Sequence, residues 1–310
     1  MGGERGSRHR SLAVRTGAVT VASVSDLRAA RGSRRLGAVA LLLVVPLGML
    51  VVVVGYPLVG LFQESVSGPD GWGEYTELAA SDVAKTVFVR TLMTAALVSV
   101  VCLLLGYPYA YLLTIAGPFV RAVLIVLLLL PFWTSFTIRT LAWVVLLQDQ
   151  GLVNDGLSSL GLSRIPLIRN TTGVVIGMSH VLLPYAVLPL YAVMRRIDRR
   201  LPDAAAACGA RRGAAWRQVY LPLSLPGVAV ATVLVFILSL GFFITPQLLG
   251  SSRNALLSQL IYTKVTQLGD NAAAAALGVV LLVLTFGLLL LLAIVMRFVP
   301  GRTRGAGASS

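Results

Sequence analysis

The sequence is short of charge. Only 12% of its 310 residues are Asp, Glu, Lys or Arg, about half the share of an ordinary soluble domain. Acid is scarcest: 12 Asp and Glu stand against 26 Lys and Arg, for a formal net charge of +14. Two cysteines cannot make a disulfide framework. No group of nucleophiles, acids or metal ligands gathers in the apolar stretches, which counts against a membrane-embedded enzyme and leaves no metal or cofactor implied. No Gly-x-x-x-x-Gly-Lys-Ser/Thr phosphate cradle occurs. Any uphill movement therefore draws on a partner or an ion gradient. Against these absences, 57% of the residues are hydrophobic, too many for a disordered chain. A nucleic-acid binder would need a soluble basic face. The composition fits a polytopic membrane protein with charges concentrated at its edges.

A spanning helix needs about 20 mostly apolar residues. Six stretches qualify: Leu36 to Gln63, Thr91 to Val120, Ala122 to Gln148, Asn170 to Met194, Gln218 to Ser252 and Asn271 to Met296. The third is interrupted once, by Arg139, and the fifth is longer than one crossing requires. Residues 1–35 read as a basic, solvated tail and residues 298–310 as a second tail. The first apolar run is too long, and follows too long a leader, for a cleaved signal peptide, so it reads as an uncleaved span. The connection Glu64 to Arg90 holds no independent domain, and Asp149 to Arg169 is rich in turn glycines.

Basic residues collect on the cytoplasmic side of membrane proteins. Nineteen arginines fall in the N-terminal tail, the second-to-third and fourth-to-fifth connections and the C-terminal tail. Four acids share that side, leaving +15 there and −1 on the other. Both termini are therefore expected in the cytoplasm. The +14 is an orientation signal and says nothing about the sign of a cargo.

The connection 195–222 reads RRIDRRLPDAAAACGARRGAAWRQVYLP. Pro202 and Asp203 suit the first turn of a helix, the run Ala204 to Ala207 continues it, and Gly209 can end it in a left-handed conformation. A second short helix is expected from about Gly213 to Tyr220, with Pro222 and Pro226 introducing the fifth span. Asp203-Ala204-Ala205, then Gly209 after three residues, Val219 after nine more, and Leu221-Pro222 after one resembles the EAA loop of ABC-importer permeases, with Asp for Glu and Val for Ile. The likeness extends over Leu36 to Arg297. Gly106-Tyr107-Pro108, Pro131-Phe132-Trp133-Thr134-Ser135 with Arg139-Thr140, Leu183-Pro184-Tyr185 and Ile244-Thr245-Pro246 resemble motifs of the spermidine/putrescine-type subfamily.

The resemblance implies an all-α type I ABC-importer permease fold with six transmembrane helices in a domain spanning 36–297, in a bacterial inner membrane. It implies a chain that is not an enzyme, takes no cofactor and lines half a pathway for a small solute, polyamine-like or opine-like. Its implied partners are a cytoplasmic ATPase dimer, a second permease, identical or different, an extracytoplasmic solute-binding protein and the lipid bilayer, with no nucleic acid. Asp203, Ala204, Ala205, Gly209, Val219, Leu221 and Pro222 would form the ATPase-coupling loop. A different solute on the same fold, or an ion-coupled secondary transporter, is the alternative. A secondary transporter would usually show intramembrane acids and repeats, and neither is evident.

Arg139, Tyr185, Phe242, Phe243 and Thr245 are the candidates for the translocation pathway. Arg139 lies deep in a span, where a charge is a functional candidate, yet it can equally cap carbonyls. Phe242 stands where the subfamily commonly has Asp, so Phe242 and Phe243 are either aromatic walls or packing residues. His180 reads as a packing residue, with Ser179, Pro184 and Tyr185 as possible cavity neighbours. Gly173 and Gly177 form a Gly-x-x-x-Gly pair that allows close helix approach. Arg90, Trp72, Trp133 and Trp143 read as interface residues. Cys102 and Cys208 lie in different compartments and should not pair.

Overall fold

The computed structural model describes residues 24–68, 71–198, 200–207, 209 and 211–298. Thirteen α-helices follow one another among them: α1 (Val24–Ser65), α2 (Gly73–Ala80), α3 (Asp82–Ile115), α4 (Pro118–Leu129), α5 (Phe136–Leu147), α6 (Leu152–Ser159), α7 (Thr171–Met194), α8 (Arg200–Ala207), α9 (Arg212–Ala215), α10 (Leu221–Leu240), α11 (Ile244–Leu249), α12 (Leu257–Thr266) and α13 (Asn271–Phe298). Two 3₁₀ turns (Leu130–Trp133, Ser252–Asn254) and a π-turn (Trp216–Tyr220) complete the list. No strand occurs among the described residues, so the fold is all-α as expected. Two compact units divide after Val59.

Five helical segments are long and apolar enough to cross a membrane: Pro46–Ser65, Asp82–Ile115, Thr171–Met194, Trp216–Leu240 and Asn271–Ile294. A bent pair, Pro118–Trp133 with Phe136–Ser159, turned through 98°, passes the same test only when its two halves are taken together, as one broken span or a re-entrant loop.

Several sequence expectations need correction. The third span, expected as continuous over Ala122 to Gln148, is broken. Pro131 cannot donate a helical hydrogen bond, so α4 gives way to a 3₁₀ turn, and Thr134 and Ser135 are extended before α5 begins. The fifth does not reach Ser252: α10 ends at Leu240 against Gly241, and α11 is a separate short helix. Residues 24–35, the last part of the basic segment 1–35, are helical and continuous with α1, because Ala and Arg are good helix formers. Residues 1–23, Cys208 and 299–310 lie outside the described residues.

The two long connections are partly helical. Glu64 to Arg90 contains α2 and the opening turns of α3, capped by the Ser81 hydroxyl accepting from the Ala84 N–H. Asp149 to Arg169 holds α6, secured by one buried side chain. Asn154 donates to the carbonyls of Gln148 and Ile165 and accepts from the Ile165 N–H at 3.0 Å. Before α13, Asp270 accepts from the Ala273 N–H at 3.1 Å and from the Lys264 ammonium at 2.8 Å. The hydrogen bond from Lys264 leads the causes that hold this carboxyl below its ordinary value.

Within Gly60–Ser310 the core is a three-helix contact of α3, α7 and α10. Val98, Cys102, Ala110 and Leu113 meet Met178, Leu182, Ala186 and Leu190, with Ala231 and Val235 closing the third side. Lipid tails are as apolar as these residues, so tight packing rather than water exclusion holds membrane helices together. The sequence supplies small residues where backbones converge: a Cβ on Gly227 would come to 3.0 Å from Val193.

Candidate functional site

The Arg-rich connection folds as two pieces. Asp198 starts the first, its carboxylate accepting from the Arg200 N–H at 2.9 Å. An acid there satisfies an otherwise unpaired amide. Helix α8 therefore begins at Arg200, two residues before the expected start, and Pro202 lies in its first turn, where no N–H is needed. Leu201, Ala204 and Ala207 are exposed at a spacing of three, so one face is apolar, and small at its two alanines. Gly209 turns the chain at φ 89° and is itself exposed. Arg195, Arg196, Arg200, Arg211 and Arg217 are also exposed, setting that face among positive charges. Asp203 and Ala205 lie in α8.

The second piece differs from the expected free-standing helix over Gly213 to Tyr220. Helix α9 runs through the π-turn into α10 without interruption. Val219 lies in the π-turn, and Leu221 and Pro222 open α10. The seven residues of the motif thus divide. Asp203, Ala204, Ala205 and Gly209 belong to the projecting helix and its turn. Val219, Leu221 and Pro222 form the root that ties the loop to the span.

The pathway candidates gather around the break in the third span, with one exception. Arg139 caps it: its guanidinium donates to the Thr134 carbonyl at 2.9 Å, to the Thr134 hydroxyl at 3.3 Å and to the Pro131 carbonyl. Non-helical backbone in a membrane protein needs such partners, so the structure favours the capping alternative. Tyr185 is half-buried against Phe132, with ring centroids 5.6 Å apart. Phe242 meets Phe136 edge to face at 5.5 Å. Thr245 is buried, its hydroxyl 3.4 Å from that of Thr140. Phe243 turns away and packs on Tyr262 at 5.0 Å. Phe136, which sequence reasoning passed over, carries the contact between α5 and the start of the α10–α11 break. Its signal was the match to Phe242 in being an aromatic at a helix boundary.

The neighbouring residues resolve simply. The Trp143 indole donates to His180 Nδ1 at 3.2 Å, so His180 is a satisfied packing residue as expected. Trp143 is half-buried, whereas Trp72 and Trp133 are exposed. Ser179 and Pro184 are buried. The Cys102 thiol points at the Ser179 carbonyl, 3.5 Å away. Among the described residues no group of His, Cys, Asp and Glu is placed to hold a metal.

The capping geometry makes a prediction. Arg139→Gln should lower the thermal stability of the detergent-solubilised protein by an amount equivalent to about 1–2 kcal/mol, the worth of charge-assisted bonds at a half-buried position. Solute affinity in uptake assays should be unchanged. A large rise in KM at unaltered stability would instead place Arg139 against solute.

Comparison with known proteins accords with this architecture. The family model "Binding-protein-dependent transport system inner membrane component" matches residues 29–304. The spermidine/putrescine transport system permease protein PotB of Escherichia coli is 32% identical over 207 residues, covering 66% of this chain and 75% of that protein. The molybdenum transport system permease protein ModB of Mycobacterium bovis is 33% identical over 214 residues, covering 68% and 80%. Among solved structures, a chain of a bacterial alginate ABC transporter, crystallised with an alginate pentasaccharide-bound periplasmic protein, superposes with a TM-score of 0.70. That match has 21% identity and covers 87% of this chain and 98% of the other; it establishes a shared fold.

Proposed function

Since the chain belongs to the family of inner-membrane components of binding-protein-dependent transport systems, an ABC-importer permease of the multi-pass inner membrane, we propose that it imports a polyamine of the putrescine or spermidine type. The relatives named for spermidine and putrescine transport support that cargo. In this reading the chain lines half of the pathway and hydrolyses nothing itself. A second, different permease completes the pathway, a cytoplasmic ATPase dimer supplies the energy, and both termini lie in the cytoplasm. Residues 1–35 and 298–310 flank a permease domain of 36–297.

The observation that carries the mechanism is the exposed face of α8 with the left-handed turn at Gly209, followed by α9, which runs through the π-turn into α10. A small, apolar helix face can seat closely in a cleft of a partner. The left-handed turn at Gly209 reverses the chain without adding bulk, and the helical root passes any push on α8 into the span. Closure of the ATPase dimer would press on α8 and tilt α10, exchanging inward for outward access. Uptake of labelled spermidine by cells carrying this chain with its ATPase, second permease and binding protein tests the reading. ATP-dependent accumulation that putrescine competes away, and that survives collapse of the proton gradient, is the expected result. Accumulation that follows the proton gradient without ATP would remove it.

A further inference from the structure

The root of the loop is locked to α3 by four aromatic rings. Pro222 fixes the local backbone. It has no N–H for the Gln218 carbonyl four residues earlier, and its ring would strike that carbonyl in an α-helix. The chain widens there into the π-turn Trp216–Tyr220. Single π-turns within α-helices concentrate at functional sites. The wide turn carries two rings that stack on each other, Trp216 and Tyr220, with centroids 6.4 Å apart and planes 15° apart. Each meets a ring of α3 edge to face: Trp216 meets Tyr107 at 5.9 Å, and Tyr220 meets Tyr111 at 5.4 Å. Tyr107 and Tyr111 are one helical turn apart, so two rings interlock with two. A hydrogen bond fastens the set. The Ser224 hydroxyl donates to the Leu221 carbonyl at 2.8 Å, which leaves its oxygen to accept from the Tyr107 hydroxyl at 2.9 Å.

The buried residues of α3 and α10 outside the clasp are aliphatic or small, such as Val98, Ala110, Ala231 and Val235, and non-directional packing of this kind fixes no orientation. Edge-to-face rings and a hydroxyl bond do fix one. We infer that this four-ring clasp carries displacement of the 195–222 loop into α3, making Trp216, Tyr220, Tyr107 and Tyr111 positioning residues for energy coupling. A push on the loop then moves α3 and α10 as one body; without the clasp α10 moves alone. The inference rests on the coupling role proposed above for the loop.

The test is the ATP hydrolysed per solute imported by the complete transporter, reconstituted in liposomes with its binding protein and labelled spermidine. Trp216→Leu and Tyr220→Leu should retain the ATPase on co-purification and keep hydrolysing. Their ATP-to-solute ratio should rise roughly 2- to 30-fold, the range that single residues on a coupling route command. Trp216→Phe should restore most of the coupling. A ratio equal to wild type in both leucine variants overturns the inference, as does a parallel loss of hydrolysis and uptake. If the leucine variants fail to insert, Tyr107→Phe decides, since it keeps the ring and removes only the bond to Ser224. A raised ratio supports the clasp and an unchanged one overturns it. Failure of the underlying reading looks different: Gly209→Trp would then transport normally and bind the ATPase normally.

Discussion

Gly209→Trp is expected to abolish ATP-driven uptake while leaving the protein inserted in the membrane at its normal abundance. Two effects combine at this residue. Its φ of 89° is a conformation that a side chain disfavours by roughly 1–3 kcal/mol. The second effect lies outside the chain. A Cβ built on Gly209 meets nothing within 4 Å, so its first carbon is unobstructed, and the exposed position turns the added bulk toward whatever docks there. Gly209→Ala separates the two. It carries the backbone strain without the bulk, and should retain a substantial part of the uptake that the tryptophan variant loses. Membrane content by immunoblot, co-purification of the ATPase and initial uptake rate together read the outcome. Full uptake in Gly209→Trp would show that no partner seats on this turn.

The second large effect is on folding rather than transport. Gly173→Ala should sharply reduce the yield of monodisperse protein and lower its apparent Tm in detergent. The added Cβ would lie 2.2 Å from the Leu167 carbonyl oxygen, a backbone atom that no rotamer change can move aside. The surroundings leave little freedom. Arg169 already holds a φ of 59° and donates its N–H to the Leu249 carbonyl at 2.8 Å. The Asn170 side chain accepts from the Gly173 N–H at 2.9 Å and donates to the Pro166 carbonyl. Overpacking of this kind costs about 1–3 kcal/mol in a well-packed core, and the penalty here falls on the entry to α7. Gly177→Ala gives a graded comparison. Its Cβ would approach Leu249 Cδ1 at 2.5 Å and Thr245 Cγ2 at 2.8 Å. The leucine tip can rotate, so this variant should fall between wild type and Gly173→Ala. Equal stability of all three proteins would show that neither the Leu167 carbonyl nor α11 packs on α7 in this way.

These two glycines are separated by what could be read without coordinates. Gly209 was legible because its position after an Ala-rich helix matches a spacing that ends in Leu221-Pro222, and a helix end followed by a turn is a local property. Gly173 and Gly177 were visible only as a spaced pair. Their partners, Leu167 and Leu249, come from a loop and from a helix more than seventy residues away, and no local rule names them. The break in the third span lay between these cases. Pro131 was plain to see, but a hydrophobic run measures length and not straightness, and the carbonyls that Arg139 caps exist only once the chain has bent.

The aromatic clasp was missed for a related reason. Tyr107 and Tyr111 are four residues apart, as are Trp216 and Tyr220, and each pair alone reads as an ordinary helical face. That the pairs meet depends on α3 lying against α10, which the core of Val98, Ala110, Ala231 and Val235 arranges.

By itself the sequence determined the membrane class, the apolar stretches long enough to cross and the position of the Arg-rich loop. Each of these follows from apolar length, charge placement or backbone chemistry within a few consecutive residues. The tertiary structure alone decided that the third apolar stretch bends through 98°, that Arg139 is held by carbonyls, and that the motif divides between an exposed short helix and a π-turn root clasped to α3. Those facts depend on which distant groups meet. In a chain whose apolar helices all look alike to lipid, only packing in three dimensions distinguishes one partner from another.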